Sequence, residues 1–88
     1  MKTNLYSIED RLTSHHMTPF PAQNDDVAKR MAISGAKNKD SLIGANPSDF
    51  AVYKLGVYDD NAGTITGEPK PVFICTVAEL LLEAPNGN

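Results

Sequence analysis

Nine residues in the second half of the chain, Phe50-Ala51-Val52-Tyr53-Lys54-Leu55-Gly56-Val57-Tyr58, constrain the fold more than any others. The run is rich in β-branched and aromatic residues and reads as a strand. Strict alternation leaves apolar side chains on both of its faces. Ala51, Tyr53, Leu55 and Val57 lie on one face, and Phe50, Val52 and Tyr58 on the other. A two-faced strand is central in its sheet or is covered by a partner. The chain has 88 residues, which allows a single domain over 1–88 that hides roughly 60–65% of its unfolded surface. A core that small cannot easily cover both faces.

The elements around this strand predict the α+β class. Thr3–Asp10 reads as a first strand that leaves for a loop at Glu9-Asp10-Arg11. In Thr18-Pro19-Phe20-Pro21 the prolines fix φ and remove two backbone donors, so the segment suits an edge strand or a stiff extended arm that aims Phe20 outward. Asn24 is a strong helix N-cap, and Asp25 and Asp26 then meet the positive end of the helix dipole. Val27, Ala28, Met31 and Ala32 form an apolar stripe, and Gly35 is the expected stop, giving one main helix over about 25–35. Gly35 to Asp49 reads as a long polar loop. Asp59–Gly63 is a hairpin loop and Thr64–Thr66 its return strand, which Pro69-Lys70-Pro71 interrupts before Val72–Cys75. Thr76-Val77-Ala78-Glu79 has the form of a capping box and predicts a short C-terminal helix over about 77–84, with 86–88 as a frayed tail. The expected architecture is a small, mostly antiparallel sheet of about four to five strands under these two helices. Two helices cover one face of such a sheet. Phe50, Val52 and Tyr58 would then be left on the other as an apolar patch, the expected interface of a homodimer.

Charge narrows the partners. Eight Lys and Arg against eleven Asp and Glu give a net −3, so bulk electrostatics cannot hold nucleic acid and any such contact needs a local patch. Four cations, Lys29, Arg30, Lys37 and Lys39, fall between Val27 and Lys39 with no acid among them. They can hold phosphates, with Phe20 stacking on an unpaired base. They also suit a solvated helix end. The single cysteine, Cys75, excludes an internal disulfide and points to a reducing compartment. Acids at Glu9 and Asp10 leave no room for a signal-peptide core, and no apolar run approaches the ~20 residues that span a bilayer. The reading is a soluble intracellular protein with no membrane partner.

Enzymatic signatures are missing. The chain has no nucleophile elbow, no phosphate loop with its Lys and Ser/Thr, and no zinc-protease helix motif. His15 and His16 are adjacent on an extended segment and point to opposite faces, so they do not share a metal. Asp59 and Asp60 lack the spacing of a calcium loop. Cys75, between Ile74 and Thr76, reads as a small buried apolar residue. The chain is therefore expected to be no enzyme and to need no metal or cofactor.

A series of short motifs adds a resemblance. Tyr6, Asp10, Met17-Thr18-Pro19-Phe20, Asn24, Ala28-Lys29-Arg30, Asn46-Pro47-Ser48-Asp49-Phe50, Tyr53-Lys54-Leu55-Gly56, Asp59-Asp60 and Gly63 follow in order. Over residues 5–66 the series resembles the small non-structural protein of gokushovirus-type microviruses, which are phages with circular single-stranded DNA. Met31-Ala32 departs from that family's pattern, and nothing after Gly67 aligns with it. The resemblance implies a protein outside the virion, often labelled DNA-binding, that acts in genome replication or single-strand production in the host cell cytoplasm. It implies no catalytic residues. Arg30, matched yet off the apolar stripe, is the residue it singles out. Two functions stay open. One is weak single-stranded DNA binding through Lys29, Arg30, Lys37, Lys39 and Phe20. The other is an adaptor that docks a phage replication initiator or a host protein without touching nucleic acid.

Overall fold

A computed structural model describes residues 1–83. The strands are β1 (Lys2–Asp10), β2 (His15–His16), β3 (Phe20–Ala22), β4 (Phe50–Asp59) and β5 (Thr64–Thr76). The helices are α1 (Asp25–Ala36), α2 (Leu42–Ala45) and α3 (Val77–Glu83), and a 3-10 turn at Pro47–Asp49 leads into β4. One antiparallel sheet runs β2-β1-β4-β5. Because β4 occupies one edge of β1 along its length, β2 and β3 share the other, β3 opposite Asn4–Tyr6 and β2 opposite Glu9–Asp10. The class is α+β, with one main helix and a short C-terminal one. The frayed tail expected at 86–88 lies outside the described residues.

Local chemistry sets the helix starts. Asn24 Oδ1 accepts from Val27 N–H at 2.9 Å and caps α1. At α3, Thr76 Oγ1 accepts from Glu79 N–H at 3.1 Å while Glu79 Oε1 accepts from Thr76 N–H at 3.2 Å, the reciprocal pair of a capping box. Packing sets the end of α1. The helix does not stop at Gly35 but continues to Ala36, which is buried. Ala28, Ala32 and Ala36, four residues apart, are the face that meets the core, and their short side chains let the helix lie close to it. Met31 sits on the rim of that face, 44% exposed. The stretch after α1 is no open loop either: Ser41 Oγ caps α2 by accepting from Gly44 N–H, and Ile43 packs against the core.

The faces of β4 differ from strict alternation, and the difference removes the expected interface. Phe50 is 2% and Val52 0% exposed, both in the core with Ala28, Ala32, Val77 and Leu80 of the helices. The helices cover the Phe50 and Val52 face, and the open face is the one bearing Tyr53. Leu5 lies opposite Gly56 but Tyr6 lies opposite Lys54, so Leu55 is an extra residue on β4. Such a bulge swaps the faces of everything beyond it. Tyr58, opposite Thr3 and Ile65, thereby joins the Tyr53 face and is 37% exposed. Opposite Leu55, β5 carries Glu68–Pro71 outside the ladder, so the two prolines distort the strand without ending it.

Candidate nucleic-acid interface

The four cations gather on one helix and its exit. With 3.6 residues per turn, Arg30 and Lys37 are seven positions apart and share the side of α1 opposite Ala28, Ala32 and Ala36. Both are exposed, as is Lys39, while Lys29 is half-buried at the border of the core face. Among the described residues none of the four forms an ion pair within 4 Å, whereas Lys54 does so with Glu68 at 3.9 Å. The charges on this face are therefore directed to solvent, where a phosphate can reach them.

Of the two expectations for the proline-flanked segment, the edge strand holds and the outward arm does not. The Phe20 ring stacks on Tyr6 at a centroid distance of 6.1 Å and an interplanar angle of 28°. It also packs against the core cluster, because β3 is paired onto β1 and lays the side chain over the sheet. With Ile8, Met31 and Ala32 it lines an open apolar pocket of about 170 Å³. Tyr6 is the anchor beneath it. The Tyr6 hydroxyl donates to Asp25 Oδ1 at 2.7 Å and accepts from Asn4 Nδ2 at 3.2 Å, which ties β1 to the first turn of α1.

A second cluster, on the helix-free face, is one that sequence reasoning missed. Ser7, fully buried, shares a 2.7 Å hydrogen bond with His16 Nδ1, and His16 Nε2 lies 3.8 Å from Glu9 Oε2. Tyr53 stands edge-on to His16 at 5.3 Å and to Phe73 at 5.7 Å, so three rings run across the sheet from β2 through β4 to β5. Burial, then a hydrogen bond to Glu9 and the Glu9 charge, push the Tyr53 hydroxyl pKa up, and Arg11 opposes them. A serine, a histidine and a carboxylate in line invite comparison with a hydrolytic triad. Ser7, however, has no exposed surface, so no carbonyl can reach its oxygen, and the trio braces β2 against β1. His16 is solvent-exposed as a residue, yet its ring is held by Ser7 and Glu9, a contact its sequence context does not show. Its signal was the hairpin itself: with Ser14 at φ 61 turning the chain, His16 pairs back onto Glu9.

Among the described residues, no group of three or more His, Cys, Asp or Glu could hold a metal ion, and no helix is long and apolar enough to cross a membrane. Neither a search of curated proteins nor one of solved structures gives a match. A family model described as Phage ORF5 protein matches residues 3–80. That span runs past Gly67, where the sequence resemblance ended, and takes in all of the strands but Lys2 of β1, together with the capping box of α3. The chain belongs to the Phage ORF5 protein family and is a phage protein.

Proposed function

We propose that this phage protein acts without enzymatic activity in the replication of a microvirus genome of the gokushovirus type, or in its switch to single-strand production. It does so in the host cytoplasm by holding single-stranded DNA weakly. The observation that carries this reading is the set of exposed cations, Arg30 and Lys37 on one side of α1 and Lys39 just after it, with half-buried Lys29 at the border of the core face, none paired with a carboxylate among the described residues. Each phosphate contact releases counterions, so binding should weaken steeply with salt. Phe20 takes no part, since its ring is packed on Tyr6.

Titration of a labelled oligonucleotide at several salt concentrations tests this. Arg30→Ala and Lys37→Ala should each reduce affinity and lower the salt slope by about one unit. Phe20→Ala should lower the melting temperature and leave affinity unchanged. An Arg30→Ala/Lys37→Ala protein that binds as well as the parent would rule out this patch. The net charge of −3 favours a second reading, an adaptor that docks a replication initiator or a host factor. Its mark would be no oligonucleotide binding even at low salt.

A further inference from the structure

The helix-free face of the sheet is built to be covered, and we propose that a second copy of this chain covers it, face to face and related by a two-fold axis. Its apolar residues are ones the folded monomer leaves in water: Phe73 is 51%, Ile65 68% and Tyr58 37% exposed. Tyr53 and His16 extend them into a row of rings.

Three observations point to a second copy. The first is area. With β4 ten residues long and strands spaced about 4.8 Å apart at about 3.3 Å per residue, the projected face is on the order of 600 Å². That approaches the roughly 800 Å² per partner of a standard stable interface.

The second is the state of the edges. The outer edge of β5 carries Pro69 and Pro71 outside the ladder, and the opposite edge is made of strands of only two and three residues. Pairing through backbone edges is blunted on both sides, which leaves face-to-face packing as the way to bury the rings.

The third is charge. Glu9, 3.8 Å from His16 at one end of the ring row, and Arg11 just after β1, whose charge is felt at Tyr53, put both signs at that end of the face. A two-fold partner presents the same pair in reverse and meets each sign with its opposite. Single-stranded DNA fits less well, because the Glu9 carboxylate beside the His16 end of the ring row repels phosphate.

Light scattering on the full chain at micromolar concentration tests the proposal, with Phe73→Glu, Ile65→Glu and, on the helix side, Leu42→Glu. All three positions are solvent-exposed, so circular dichroism should show each variant folded, and either sheet variant suffices if the other does not fold. The expected result is twice the 9.5 kDa chain mass for the parent and for Leu42→Glu. Phe73→Glu and Ile65→Glu should raise the dissociation constant at least about tenfold and give the single-chain mass. A parent of single-chain mass would overturn the proposal, as would a dimer that persists in both sheet variants. So would a monomeric parent whose oligonucleotide affinity falls on Phe73→Glu, a result that would give the face to DNA.

Discussion

Tyr6 joins β1, β3 and α1 through one side chain. Its ring carries Phe20, and its hydroxyl bridges Asn4 on β1 and Asp25 on α1. Burial first and then the hydrogen bond to Asp25 push its pKa up to about 12 from the usual 10, with the Asn4 hydrogen bond lowering it and the Asp25 charge adding the least. In the folded chain the proton stays on above pH 10, where the unfolded chain releases it. The linked stability is complete below pH 10 and is lost as the pH rises toward about 12. The loss is about 1.4 kcal/mol per pH unit, or roughly 3 kcal/mol in all. Tyr53, raised in the same direction, adds to it. Tyr6→Phe should cost about 1–2 kcal/mol at neutral pH and flatten the alkaline decline. Urea unfolding at stepped pH measures both, and an unchanged slope would mean that another group titrates. Close packing gives a second test at this scale. A Cβ on Gly56 would stand 2.3 Å from the Thr66 carbonyl oxygen, so Gly56→Ala should destabilise by about 1–3 kcal/mol.

Elements were legible in the sequence where their determinants are local. Asn24 and the Thr76–Glu79 box act over three residues, and hydrogen bonds of that span can be read from the order of residues alone. Thr76→Ala removes one side of the box and should cost about 1 kcal/mol, read as a lower melting temperature. A Thr76→Ser variant should restore most of it. What the sequence hid depends on register. Strict alternation put Phe50, Val52 and Tyr58 on one face, and the extra residue at Leu55 separates Tyr58 from the other two. Gly56 and Gly67, opposite each other beside that bulge, and the Pro69–Pro71 stretch are the residue types that mark such a break, but they do not say which strand gains the residue. The Ser7–His16–Glu9 trio was hidden for the same reason, since its members meet only once β2 has folded back on β1. The cations were legible because their grouping is a matter of helix period. The prolines showed the edge strand at Phe20 but not the direction of its ring, because flanking prolines fix the backbone while Tyr6 across the strand pair decides where the ring packs.

At the scale of the whole molecule, the two proposals constrain each other. The protomer measures 18 Å in its thinnest direction, with helices on one face of the sheet and the ring row on the other. If two copies pack through the ring faces, both α1 helices lie on the outside, and the cations of one protomer face away from those of its partner. A short strand bound on one helix cannot then reach the second, so each protomer should hold its own strand. Dimerisation should bring no gain in affinity for short oligonucleotides, because effective concentration helps only where the linker can span both sites. The monomeric Phe73→Glu protein should therefore bind a short oligonucleotide with the affinity of the parent, one strand per chain in each. An oligonucleotide long enough to pass around the sheet edge should bind the dimer more tightly than the monomer. Fluorescence titration over a series of oligonucleotide lengths, comparing the parent with Phe73→Glu, checks this. A dimer that outbinds the monomer on the shortest strands would place the two α1 helices side by side and so exclude packing through the ring faces.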